Sequence, residues 1–164
     1  AAAKKRCLIT ARGADGFGHQ MEAKISCMVV AKAVGFEYIH VPFHHLAHQE
    51  KDAAGMDSMM GLGASYRQYN WQRDPEITLE KRDLPNVGKC KEMGFLRGVE
   101  LGKTKCKADN RTLYWNDNCW DRLYCHGLME SGLVYSMVPE WQRNYYASPK
   151  PDPKWLEGFP ADQE

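Results

Sequence analysis

The chain has 164 residues, of which 43% are hydrophobic and 26% charged, and a net charge of +1. That is enough chain for one domain with its own core, and the near-zero balance excludes a field drawing the whole molecule to nucleic acid or an anionic membrane. No apolar run approaches the ~18 residues of a membrane-spanning helix. The start, Ala1-Ala2-Ala3-Lys4-Lys5-Arg6, reads as a processed or trimmed end.

In chain order, residues 6–11 (Arg-Cys-Leu-Ile-Thr-Ala) are a short apolar run that predicts a buried strand. A glycine-rich turn follows at Gly13, Gly16 and Gly18. From His19 to Val34 the spacing becomes helical, with Met21, Ile25, Met28, Val29 and Lys32 on one stripe and Gly35 as C-terminal cap. Residues 36–41 (Phe-Glu-Tyr-Ile-His-Val) are aromatic and β-branched, a second strand that Pro42 ends. Together these make one βαβ unit, which predicts an α/β domain with a parallel sheet.

Past Pro42 the pattern weakens. Residues 44–51 read as a loop or a helix start. Asp57 opens a short helix ended by Gly61 and Gly63, and Thr78-Leu79-Glu80 is a short strand. Residues 91–112 show no periodicity, residues 114–119 are aromatic and asparagine-rich, and residues 120–130 read as helical. Val138-Pro139-Glu140 opens a last helix that runs through Tyr146, with Pro139 in its first turn. Residues 148–153 (Ser-Pro-Lys-Pro-Asp-Pro) read as an extended linker. The division is thus a domain over 1–147 and a proline-rich tail over 148–164.

Six cysteines are present, none spaced as Cys-x-x-Cys, which disfavours a zinc ribbon or a thioredoxin-type site. Cys90, Cys106, Cys119 and Cys125 cluster, and two disulfides among them have three possible connectivities; the alternative is buried free thiols. Asn110-Arg111-Thr112 is a glycosylation sequon, which favours the secretory route.

A glycine turn between a strand and a helix presents backbone N–H groups to an anion or lets a ligand approach the main chain. The dinucleotide fingerprint is not met, because Met21 occupies its third glycine position and no acidic residue closes the second strand. The Walker lysine is absent too.

The run Gly16-Phe17-Gly18-His19-Gln20-Met21, its alanine-bearing helix and the stretch Gly35-Phe36-Glu37-Tyr38-Ile39-His40-Val41-Pro42-Phe43 resemble the opening of fucosyltransferase-like glycosyltransferases of the algal and viral type. His48 stands where such proteins carry a histidine a few residues past the second strand. Residues 141–151 (Trp-Gln-Arg-Asn-Tyr-Tyr-Ala-Ser-Pro-Lys-Pro) are similar to the helix and linker before the second half of these enzymes. Residues 64–135 carry no part of the resemblance.

The resemblance implies a Rossmann-like three-layer domain with a small parallel sheet, followed here by an irregular aromatic-rich second half. It implies transfer of a sugar, fucose foremost, from a GDP-sugar to a glycan acceptor. The donor-binding His-x-Arg-x-(Gly/Thr)-Asp strand of the family does not occur in residues 1–164. Its arginine would meet the nucleotide-sugar phosphates. The expectation is therefore an acceptor-side half that binds no cofactor itself and is inactive alone, with the GDP-sugar held by a second half. The acceptor-side loop residues implied are Gly16, Gly18, His19, Gln20, His40 and His48.

Five of the six histidines lie between His19 and His48, and His44 and His48 would share a helix face. A zinc site needs three or four ligands and supporting partners, and no suitably spaced cysteine or acid joins them, so no metal is expected. Five tryptophans and eight tyrosines supply flat amphipathic surface for a sugar, a core or an interface. The rival expectation is a non-catalytic structural or assembly subunit that docks partner proteins through the aromatic, proline-rich residues 135–160. The transferase reading places the chain in the secretory pathway or Golgi lumen; the assembly reading places it in an organelle as part of a larger complex.

Overall fold

The computed structural model describes residues 4–11, 16–43, 53–70, 72–81, 106–116, 119 and 132–150. Five strands make one all-parallel sheet: β1 (Leu8–Ala11), β2 (Glu37–His40), β3 (Arg67–Gln68), β4 (Thr78–Lys81) and β5 (Thr112–Asn116). The spatial order is β3-β2-β1-β5-β4. Three helices accompany it, α1 (Phe17–Val34), α2 (Ala53–Met60) and α3 (Leu133–Ala147). This is the α/β class with a small parallel sheet and a Rossmann-like first unit, as expected. The irregular, aromatic-rich second half lies mostly outside the described residues.

β1 is central. It is paired on both edges, with Leu8 opposite Glu37 and Leu113, and Ile9 opposite Tyr38 and Tyr114. All four of its residues are buried. One sheet face carries Ile9, Ala11 and Tyr38, packed against Cys27, Met28 and Ala31 of α1 and Met137 of α3. The other carries Leu8, Ile39 and Leu113, with Ile77 and Tyr69 against them. Both faces are buried, as an all-parallel sheet requires. β5 is launched by a tight turn: Asp109 accepts from the backbone N–H groups of Arg111 and Thr112 at 2.8 Å each and from the Thr112 hydroxyl at 2.9 Å. These bonds, the Arg111 N–H foremost, hold the Asp109 carboxyl below its ordinary range. Asn110 beside it sits at φ 59, and its Oδ1 accepts from the Arg6 N–H at 2.7 Å, tying this turn to the start of β1.

Several boundaries differ from the sequence expectation, each for a tertiary reason. The core-facing stripe of α1 is rotated by about one residue. Gln20, Ala23, Lys24, Cys27, Met28 and Ala31 are buried, whereas Met21 and Ile25 are half-buried and Lys32 is exposed. Polar side chains with partners and a disulfide decide the face, not hydropathy alone. α2 begins at Ala53 rather than Asp57, so Asp57 is mid-helix. α3 begins at Leu133, because Leu133, Val134 and Met137 pack into the core, and this puts Pro139 inside the helix rather than in its first turn. The N–H that Pro139 lacks would have served the carbonyl of Tyr135, a residue 72% exposed, where water can replace it. β3 and β5 were not expected at all. Residues 44–51, 120–130 and 151–164, read above as loop or helix, helix, and linker or tail, lie outside the described residues; Ser148 leaves α3 in extended conformation.

The cysteines pair across the molecule. Cys7 joins Cys106, and Cys27 joins Cys119, with Cα–Cα distances of 6.1 and 5.1 Å. The expected pairing within the 90–125 cluster is therefore wrong for Cys106 and Cys119, as are free thiols there; Cys90 and Cys125 lie outside the described residues. The reason is topological: β5 lies beside β1, so the segments flanking β5 are brought to the segments flanking β1. Each bridge spans more than 90 residues, 99 and 92 respectively. Bridges closing loops of this size contribute about 4 kcal/mol in the chain-entropy account. Peptide mapping under non-reducing conditions is expected to recover Cys7–Cys106 and Cys27–Cys119 peptides. The double variant Cys27→Ala/Cys119→Ala is expected to lose about 3–5 kcal/mol in urea denaturation.

Candidate functional site

The chain runs from β1 outward to β2 and β3, crosses to the opposite edge at β4, and returns to β5 beside β1. The strand order therefore reverses between β1 and β5. In open parallel sheets the crevice beyond the carboxyl ends at such a reversal is where ligands bind, because adjacent connections leave to opposite sides there. Ala11 and Asn116 are the paired last residues of the two strands. The glycine turn leaves Ala11 and enters α1 at Gly16, whose carbonyl accepts from the Gln20 N–H at 3.1 Å. Gly16 caps the helix without a side-chain oxygen, and no acidic residue stands in the first turn, so the helix N-terminus keeps its partial positive charge.

Next to this crevice, at the end of β2, lies a buried polar cluster. Tyr38 and His40 are two apart on one strand and so share a face. His40 has no exposed surface. Its Nε2 lies 2.8 and 3.1 Å from the two carboxylate oxygens of Asp57 on α2, and its Nδ1 lies 3.3 Å from the Tyr38 hydroxyl. A carboxylate only accepts, so Nε2 carries the ring proton and Nδ1 receives the Tyr38 O–H. Asp57 Oδ1 also accepts from the Phe43 N–H at 3.3 Å. The α1 side contributes Lys24, 2% exposed, whose ammonium donates to the Val41 carbonyl and lies 5.1 Å over the Phe43 ring. Burial pulls the Lys24 ammonium down to about 8, only partly offset by the Asp57 carboxylate. Burial, with Asp57 and Tyr66 adding to it, pushes the Tyr38 phenol well up, so Tyr38 stays a neutral donor.

The turn after α2 closes over this cluster. A Cβ at Gly63 would fall on the His40 ring. Gln68 fixes that turn by donating to the Gly63 carbonyl at 2.6 Å and to Tyr66 at 3.3 Å, while the Tyr69 N–H bonds the His40 carbonyl at 2.9 Å. Glycine is required at position 63 for close approach.

Of the residues expected at an acceptor-side loop, Gly16, Gly18, His19 and Gln20 form the first turn of α1. Gly18 and His19 are exposed and Gln20 is buried. A Cβ at Gly18 would meet nothing within 4 Å, so close packing does not require glycine there. His40 belongs to the buried cluster one strand away, and His48 lies outside the described residues. Sequence reading missed Lys24, Tyr38, Asp57 and Gly63. The Tyr38/His40 pair was visible as an i, i+2 repeat, and Lys24 as a charge inside an apolar helix; nothing local marks Asp57 as their partner. Among the described residues no group of three His, Cys, Asp or Glu is placed to hold a metal ion, and no helix is long and apolar enough to cross a membrane. The chain matches no protein-family model, no curated protein and no solved structure.

Two outcomes follow from the cluster's packing and charge. Gly63→Ala is expected to destabilise the fold by about 2–3 kcal/mol, because both the His40 ring and the turn are enclosed; urea midpoints check it. Lys24 is depressed from 10.5 unfolded to about 8 folded, so between those values the unfolded chain binds more protons and stability rises with pH. The cost of the buried ammonium stands in full below about pH 8 and is relieved across that window by about 3 kcal/mol. Tyr38 and Tyr66 act oppositely above about pH 10. The stability difference between wild type and Lys24→Met, followed by urea denaturation from neutral to alkaline pH, isolates the lysine.

Proposed function

We propose that residues 1–147 are the acceptor-side domain of a fucosyltransferase-like glycosyltransferase. The domain presents a glycan hydroxyl to a GDP-sugar, GDP-fucose foremost, held by a second domain. The observation that carries this reading is the position of the Gly16–Gln20 turn. It resembles the family's first loop in sequence, and it opens beside the β1/β5 reversal, where an α/β sheet binds its ligands. Exposed His19 supplies a side-chain hydrogen-bond partner for sugar hydroxyls there. Transfer is a direct displacement at the anomeric carbon, with the acceptor hydroxyl giving up its proton to a general base. Two long-range disulfides favour an oxidising compartment, the secretory or Golgi lumen.

A second reading rests on a different observation. Tyr135 and Tyr146, 72% and 79% exposed, are 11 residues apart on α3 and therefore on one side of it. Such a pair suits a protein interface in a non-catalytic assembly subunit.

The deciding experiment is transfer of labelled fucose from GDP-fucose to oligosaccharide acceptors, by the 164-residue chain alone and by any longer polypeptide that contains it. The expected result is transfer by the longer polypeptide only, with acceptor binding but no GDP-fucose binding by residues 1–164. No transfer from any GDP-sugar by either, with Tyr146→Ala abolishing co-purification of a defined complex, would establish the assembly reading instead.

A further inference from the structure

We infer that Asp57 is the general base of the transfer step, the carboxylate that takes the proton from the glycan's acceptor hydroxyl; this rests on the transferase reading above. Three observations lead to it. First, Asp57 is the outermost member of the cluster: its side chain keeps 13% of its surface while that of its partner His40 keeps none. Second, its two oxygens are unequally engaged. Oδ1 accepts both the shorter His40 bond, 2.8 Å, and the Phe43 N–H, whereas Oδ2 has only the 3.1 Å approach to the same imidazole. Oδ2 thus has room for one more donor, the role an incoming hydroxyl fills. Third, the cluster lies at the carboxyl end of β2, next to the reversal crevice.

The donors that hold Asp57 fix it as a base rather than consume it. His40 Nε2–H cannot turn away, because Tyr38 occupies Nδ1 and Gly63 abuts the ring. An ion pair buried only for stability is a poor investment against apolar packing; a carboxylate fixed on one oxygen and open on the other is suited to proton transfer. In the step, the acceptor O–H bond breaks as its oxygen bonds the anomeric carbon. The bond from that carbon to the β-phosphate oxygen breaks, and GDP leaves with the electron pair. The proton rests on Asp57 Oδ2 until it is lost to water.

The test uses the full polypeptide that contains this domain. Asp57→Asn keeps an oxygen for the Phe43 N–H, and is expected to lower kcat about 100- to 10,000-fold with KM for GDP-fucose unchanged. Formate is expected to restore part of the activity of Asp57→Ala. A folded Asp57→Asn protein with wild-type kcat overturns the inference and leaves the transferase reading standing. Wild-type protein that transfers from no GDP-sugar defeats that reading, and the inference with it. Should the variants not fold, the wild-type pH profile decides. The charged or titratable groups around Asp57 are Lys24 from α1, Tyr38 and His40 from β2, and Tyr66 from the turn after α2. A kcat that falls in the carboxylate range, about pH 4–5, while tryptophan fluorescence reports an intact fold, supports a carboxylate base. A kcat flat down to about pH 4 overturns it.

Discussion

Everything described depends on a strand of four residues. Leu8–Ala11 is hydrogen-bonded on both edges and buried on both faces, and no other strand shares both conditions with so short a length. A strand that short has few bonds of its own, so its place must be held from outside. Two covalent links do so. One fastens Cys7, immediately before β1, to Cys106 ahead of β5; the other fastens Cys27, in the helix after β1, to Cys119 behind β5. The β1–β5 pairing is thereby bracketed at both ends. It is also the least local pairing in the sheet, joining residues about 100 apart, and such contacts carry the largest closure entropy. The bridges sit where the folded chain needs them most.

The buried polar cluster makes a second demand, of opposite sign. Placing an ammonium, a carboxylate, an imidazole and a phenol inside a small domain costs free energy even when each is bonded. Lys24 shows the cost directly in its depressed proton affinity. The cluster draws α1, β2 and α2 together, since Lys24, Tyr38/His40 and Asp57 come one from each. It also fixes the orientation of α2 more narrowly than apolar contacts such as Met56 with Phe43 would alone. Directional bonds specify a geometry that a methionine-rich surface leaves adjustable.

The sequence was most legible where signals are local. The first βαβ unit is written in an apolar run, a glycine turn, a helical stripe and a second strand, and each holds to within about two residues. Legibility failed where long-range contacts decide. Thr112–Asn116, central to the sheet, is five residues long and preceded by charges and glycines, so nothing nearby marks it as a strand. The two-residue β3 has no periodicity to detect. The cysteine pairing followed from the position of β5 and could not be read without it. For the site, the glycine turn and His40 were visible, but the partners of His40 come from α1 and α2, and only the fold brings them together.

The disulfides and the cluster serve one requirement if the domain presents an acceptor. A displacement reaction needs oxygen and anomeric carbon held within about 3–3.5 Å and aligned, and slack of about 1 Å costs heavily. When donor and acceptor are held by different domains, relative domain motion already adds uncertainty. The acceptor half must then contribute little of its own. Here the turn that would meet the sugar springs from β1, which the bridges bracket, and Asp57 is fixed through His40 by Tyr38 and by the close approach of Gly63. A rigid half of this kind leaves domain closure as the main motion between binding and transfer.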